Sequence, residues 1–299
     1  MTPDDDPVSR RLPVRAGIIM IVLCFLWGAQ SVSIKFSNEG VPPLMAATFR
    51  SLVAAALLYG YARIKGRGVA FPRGQTRHAV IIGLLFGLEF LFLYWSLVYT
   101  PVSRSIIFMY THPFWVAAGA HVFLKNDRLT TTKLFGLLLA FCGVTAVFQA
   151  RSLSLPQLHH IGDVMALLAA MFWAATTLYV KHLVGKVELD HVQMLFAQLF
   201  YSIPLLAAGS VLFEMPADLV VTPVVVTALL YQAVVVAFIS YLVWFWLIGR
   251  YSVSRLAAFT SMAPIFGVIL GGLLLKEPLT LAVWIGVACV AGGVRIVNR

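Results

Sequence analysis

Landmarks in the first half of this chain return in the second half, most of them 150 or 151 positions later. Val102-Ser103-Arg104 returns as Val253-Ser254-Arg255, and Pro113 returns as Pro264. Leu124-Lys125 is matched by Leu275-Lys276, Leu129-Thr130 by Leu279-Thr280, and Gly136 and Gly143 by Gly286 and Gly293. Trp27 and Lys35 keep the spacing of Trp173 and Lys181. A duplicated membrane bundle is a common build for proteins whose two related parts move around a site between them.

Ten apolar segments carry this repeat: 17–36, 44–62, 78–99, 103–123, 134–148, 161–183, 191–213, 224–248, 256–275 and 281–297. A helix crossing a bilayer needs roughly 20 apolar residues. The segments are rich in Leu and Ala and lack period-two alternation, which points to helices rather than an outer-membrane barrel. Composition agrees: 61% of residues are hydrophobic, 11% are charged, and the mean hydropathy is +0.91. A soluble domain carries about 25% charged residues. The expected fold is therefore an all-α integral membrane protein.

The net charge of +10 is distributed by side rather than in one basic stripe. With a cytoplasmic N-terminus, 17 Lys and Arg residues fall in inner segments and 4 in outer segments, with Arg50 inside a helix. The positive-inside rule then puts both termini in the cytoplasm and argues against a nucleic-acid surface. Five helices per half is an odd number, so the second half enters the membrane inverted. The expected organisation is a cytoplasmic tail over 1–15, a first five-helix repeat over 16–150 and a second, inverted repeat over 160–298. Arg10, Arg11 and Arg15 before the first apolar run resemble a signal-peptide flank. The match of Trp27 and Lys35 to Trp173 and Lys181 identifies that run instead as a retained helix.

A transport path needs residues that a lipid-facing helix avoids, because polar groups at membrane depth face a cavity or another helix. Helical spacing aligns Trp27, Gln30 and Ser31 in the first helix, and Glu89, Phe92, Ser96 and Tyr99 in the third. It aligns Ser103, Tyr110 and Phe114 in the fourth, and Trp173, Thr176 and Thr177 in the sixth. Ser240, Tyr241 and Trp244 share a face of the eighth, and Ser254, Ser261 and Pro264 one of the ninth. These faces are expected to enclose a cavity whose aromatic walls suit a ring or aliphatic group while the hydroxyls and amides orient a headgroup. Substrate contact is assigned to Trp27, Gln30, Glu89, Tyr99, Tyr110, Trp173, Thr177, Tyr241, Trp244 and Ser261. Aromatic walls also hold organic cations. Glu89, the one acid deep in an expected helix, has two readings: contact with a substrate ammonium or coupling proton, or a structural pair with Arg50.

Pro113 and Pro264 are expected inside helices, where each removes a backbone hydrogen bond and makes a hinge. Pro204 is placed to bend the seventh helix. Gly83 with Gly87 and Gly267 with Gly271 form GxxxG pairs, whose commoner use is packing within a bundle; a monomer is expected. Cys24, Cys142 and Cys289 lack CxxC spacing and read as small buried hydrophobes. His112 and His121 have no third ligand at metal-binding spacing. No HExxH, GxSxG or Walker sequence is present. The expectation is a secondary transporter without cofactor or metal, whose partners are a small-molecule substrate and the lipid bilayer, rather than an enzyme or a receptor.

The residues Phe25-Leu26-Trp27-Gly28, Thr48-Phe49-Arg50, Met262-Ala263-Pro264 and Leu275-Lys276-Glu277-Pro278-Leu279-Thr280 resemble the drug/metabolite transporter superfamily, in its EamA-type ten-helix branch. The first half departs from the last motif, reading Leu124-Lys125-Asn126-Asp127-Arg128-Leu129. The resemblance implies export of small metabolites across the inner (plasma) membrane. Aromatic and other neutral amino acids lead, and organic-cation or multidrug export is the alternative. Alternating access is expected to come from rocking of the two halves.

Overall fold

In a computed structural model of the 299-residue chain, the residues described are 12–69, 71–72, 74–99, 105, 108–124, 127–149, 159–187, 190–215, 218–275 and 281–298. Residues 1–11 of the expected tail, Val102-Ser103-Arg104, Lys125, Asn126 and Lys276 to Thr280 lie outside them. The described elements are α1 (Val14–Ser37), α2 (Pro43–Ile64), α3 (Thr76–Tyr99), α4 (His112–Phe123), α5 (Thr131–Gln149), α6 (His159–Leu183) and α7 (His191–Phe213). They continue with α8 (Pro223–Arg250), α9 (Val253–Thr260), α10 (Met262–Leu275) and α11 (Leu281–Val297). Six of these helices, α1, α2, α3, α6, α7 and α8, are long and apolar enough to cross a membrane, and shorter apolar helices run over Thr131–Ala146 and Trp284–Val297. Phe25, Leu52, Leu57, Phe123, Leu212 and Trp284 point outward. An all-α membrane protein is the fold class that tolerates such a surface.

Local chemistry sets the helix ends. Proline opens α2, α4 and α8, where the missing N–H has no intrahelical partner to lose. Asp190 and Gln193 form a reciprocal capping box at the start of α7. The start of α2 has no cap of its own. Glu214, just past α7, accepts from the Leu44 and Met45 amides at 2.7 and 2.9 Å and does that work from across the bundle. The Lys181 ammonium donates to the Ile248 and Tyr251 carbonyls at 2.9 and 3.0 Å, placing a cation at the C-terminal end of α8.

The structure moves the proline positions. Pro113 is the second residue of α4, after a turn at Tyr110 and Thr111, and Pro264 lies in the first turn of α10, after a turn at Ser261. Neither stands in a helix interior, because the chain breaks one turn earlier. The apolar run 256–275 is thus two helices rather than one, and it begins earlier, at Val253. Pro204 does lie inside α7. In α8, Tyr231–Ser240 winds as a π-helix, a local widening that periodicity of 3.6 does not foresee.

Packing partners exchange between the halves. α1 packs on α10, as α6 packs on α4; α2 packs on α8, as α7 packs on α3; α3 packs on α6, as α8 packs on α1. Three further contacts pair like with like: α2 with α7, α5 with α11, and α4 with α9. The repeated glycines show the relation at atomic scale. A Cβ on Gly136 would meet the Gly293 carbonyl oxygen at 2.8 Å, and one on Gly143 would meet that of Gly286 at 2.8 Å. Each glycine meets the counterpart of the other, the signature of packing about a two-fold axis. Gly83 and Gly87 face Tyr201 and Leu205 of α7, and Gly28 faces the Gly267 backbone. The GxxxG glycines described are therefore spent inside the bundle. Among the described residues, few contacts join helices of the same half.

Candidate functional site

Two aromatic clusters form around the repeat-related residues Trp27 and Trp173. In the first, the Trp27 indole Nε1 of α1 donates to Ser240 Oγ of α8 at 2.9 Å, and Ser240 donates onward to the Val236 carbonyl at 2.6 Å. Trp244, one turn further along α8, meets the Trp27 ring edge to face with centroids 5.5 Å apart. The π-helical stretch places several polar groups of α8 against α1: Gln232 donates to Ser33 and Ser37, and the Tyr231 hydroxyl donates to the Leu26 carbonyl. A buried indole N–H needs such a partner, and each hydrogen bond is worth about 1 kcal/mol net.

In the second cluster, Trp173 of α6 stacks on the His112 ring of α4, with centroids 3.7 Å apart, and Tyr110 meets it edge to face at 6.2 Å. His112 is fully buried, and neither ring nitrogen has a hydrogen-bond partner. Thr177, one turn along α6, is buried with an unpartnered hydroxyl. The adjacency of His112 to Trp173 spans two helices and leaves no local pattern in the sequence.

Tyr241 links Tyr110 of the second cluster to a charged centre. Arg50 of α2 has no solvent exposure, and its guanidinium rests 4.0 Å from the Phe90 ring centroid and 5.8 Å from that of Phe86. Glu89 of α3 is 5% exposed and feels the Arg50 charge, as do Tyr94 and Tyr241. Tyr241 meets Phe86 edge to face at 6.1 Å. Yet Nε, Nη1 and Nη2 of Arg50 and Oε2 of Glu89 make no well-formed hydrogen bond, the Tyr241 hydroxyl being the one oxygen close enough to feel Arg50 as a donor. The expected structural pair is therefore an electrostatic neighbour rather than a closed salt bridge. A desolvated cation–π contact contributes about 2 kcal/mol, whereas a charged side chain at membrane depth costs about 2.5–3.5 kcal/mol, and open donors add to that cost. Glu89 stands 151 positions before Ser240. The repeat thus sets a hydroxyl on one side and a carboxylate on the other.

Of the sequence-assigned residues, Trp27 and Trp244 come together, as do Tyr110 and Trp173, with Glu89 and Tyr241 at the centre. Gln30 is half-buried one turn from Trp27, and Ser261 is buried at the break between α9 and α10. Tyr99 is 44% exposed at the end of α3. Phe92 stacks on Phe172 of α6, and Ser96 bonds Ser105 at 2.6 Å, so these two join α3 to its neighbours. Cys24 is buried with its thiol on the Phe259 carbonyl, but Cys142 is exposed, because α5 turns that face outward.

A second contact between the halves lies at a helix end. Asp127, between α4 and α5, is buried and accepts from Lys133 Nζ at 2.7 Å, Ser252 Oγ at 2.6 Å, the Ser254 amide at 3.1 Å and the Ser254 hydroxyl. It fastens the α4–α5 loop to the start of α9. Burial alone would raise its pKa, but the Lys133 ammonium and the two serine hydroxyls hold it below the usual carboxylate range.

A multi-pass helical membrane protein with interleaved halves and a buried polar centre belongs to the transporter class. The chain is a member of the EamA-like transporter family, which matches residues 15–149 and again 160–299. It is similar to the uncharacterized transporter YoaV of Bacillus subtilis, at 23% identity over 94% of this chain and 95% of that one. A probable amino-acid metabolite efflux pump of Escherichia coli is 26% identical over 94% of this chain and 93% of its own length. A solved crystal structure superposes with a TM-score of 0.80 over 95% of this chain and 96% of that one, at 17% identity, and shares the fold.

Proposed function

We propose that the protein exports small metabolites, aromatic and other neutral amino acids first among them, across the inner (plasma) membrane. The observation that carries this reading is the pair of Trp clusters together with the Arg50–Glu89 centre, which Tyr241 links to Tyr110. Apolar rings receive a side chain while charged and hydroxyl groups receive a headgroup. The efflux-pump relative supports the same substrate class.

The proposed topology is ten membrane-crossing helices in two inverted five-helix repeats, over 16–150 and 160–298, with both termini cytoplasmic and the chain acting as a monomer. The exchanged packing partners and the glycine crossings support the inversion. Alternating access then uses mixed units: α3, α4 and α6 move against α1, α8, α9 and α10, because these sets are packed together. Trp27, Gln30, Tyr110, Trp173, Thr177, Tyr241, Trp244 and Ser261 contact substrate as the units part, with Tyr99 at the mouth. The breaks before Pro113 and Pro264 serve as hinges, since a turn without i→i−4 bonds bends at little cost. No cofactor or catalytic step is involved.

Counterflow of labelled phenylalanine in proteoliposomes tests this, with tryptophan, threonine, lysine and a quaternary amine as competitors. Block by tryptophan supports the reading. Flux of the amine without phenylalanine moves the function to organic-cation export, which Glu89 beside aromatic rings also favours. Phenylalanine flux unaltered in folded Trp27→Ala and Trp173→Ala proteins removes the two clusters from the path.

A further inference from the structure

Arg50 poses an unmet chemical demand. Its guanidinium stays charged at any physiological pH and carries five N–H donors in a planar fork. It is wholly buried; the Tyr241 hydroxyl lies within its hydrogen-bonding influence, but none of its three nitrogens makes a well-formed hydrogen bond, so most of the fork is open. Glu89 answers the charge at a distance but leaves Oε2 unpartnered. Phe90 holds one face of the guanidinium, and the fork's edge is what remains to bind. The residues that enclose it, Phe86, Phe90, Tyr94 and Tyr241, supply rings and hydroxyls but no second base. A buried polar group left open in this way costs stability unless a ligand closes it.

We propose that Arg50 and Glu89 form a zwitterion site, Arg50 binding the α-carboxylate of an amino acid and Glu89 its α-ammonium. A zwitterion brings two acceptor oxygens to the fork and three N–H donors to the carboxylate without changing the net charge of the buried site. Bidentate pairing of guanidinium with carboxylate is the strong form of such a bond. The free side chain then lies among Tyr241, Tyr110 and the two Trp clusters. The inference rests on the amino-acid reading above and adds the headgroup chemistry that selects zwitterions over cations and over acids.

The test compares ligands before it compares variants. Wild-type protein is loaded with phenylalanine, and counterflow is competed by phenylalanine, phenylalaninamide, 3-phenylpropionate and phenethylamine. Loss of the carboxylate or the ammonium should weaken competition roughly 10- to 100-fold. In Arg50→Gln the preference for phenylalanine over its amide should disappear, and Arg50→Lys should restore part of it. In Glu89→Gln the preference over 3-phenylpropionate should fall while that over the amide persists. If phenylalanine is carried and the amide competes equally in the wild type, the Arg50 assignment is overturned and the amino-acid reading stands. If the wild type carries phenethylamine but no amino acid, both are overturned. The wild-type comparison decides even if Arg50 variants fail to fold.

Discussion

Replacing Asp127 with Asn should loosen the seam between the halves by an amount its surroundings set. The carboxylate is 2% exposed and receives four donors, three from the two serines that begin α9 (two hydroxyls and the Ser254 amide) and one from Lys133, whose side chain is 12% exposed. Breaking a buried pair by removing one partner costs about 3–5 kcal/mol. Water reaching Lys133 recovers part of that, and the Asn oxygen still accepts from one serine, so a loss of about 2–3 kcal/mol is expected. Because the folded-state pKa lies below the unfolded value near 4, this contribution is complete above about pH 4 and is lost as pH falls through the depressed value. The assay is unfolding free energy in mixed micelles, for wild type, Asp127→Asn, Lys133→Met and the double variant, between pH 3 and 7. The single variants should be non-additive by more than about 1 kcal/mol, and Asp127→Asn should show a flatter acid limb. Stability equal to wild type at pH 7, or additive losses, refutes the reasoning.

Three further outcomes follow from the geometry. Ser240→Ala leaves the Trp27 indole N–H buried without an acceptor and should cost about 1–2 kcal/mol, whereas adding Trp27→Phe should remove the coupling, read by a double-mutant cycle. Glu214→Ala uncaps the start of α2 from across the bundle and should cost about 0.5–2 kcal/mol, visible as faster amide exchange at Leu44 and Met45. Gly293→Ala puts a Cβ 2.4 Å from the Gly136 carbonyl oxygen, so α5 and α11 must separate; a loss of about 1–3 kcal/mol in unfolding free energy is expected, while Gly60→Ala, facing open space, should be neutral or stabilising.

The residues read from periodicity and the residues brought together by packing differ in kind. Trp27, Trp173, Tyr110, Glu89 and Trp244 were visible in the sequence because a polar or aromatic face at helical spacing stands out inside an apolar run. Arg50 was visible as a lone charge inside a helix, and only the structure shows its nitrogens without well-formed hydrogen bonds. His112 and Asp127 carried no local signal: the ring that His112 stacks on is 61 positions away, and the serines that hold Asp127 are 125 and 127 away. Pro113 and Pro264 lie in first helical turns rather than helix interiors, because a residue that cannot donate sits equally well in a first helical turn or in a kink.

What the amino-acid sequence by itself determined is local or cumulative: helical segments, their apolar surfaces, the duplication and the charge asymmetry. Hydropathy and helix formation depend on neighbours within a few turns, and the duplication is a comparison of the chain with itself. Which helix meets which was decided by tertiary structure alone. The interleaving of the halves, the π-helical turn that brings Ser240 to Trp27, the crossing of Gly136 with Gly293 and the open guanidinium all arise between residues far apart in the chain. Such contacts exist only once close packing has chosen one arrangement of helices whose outer surfaces, all apolar, do not distinguish one neighbour from another.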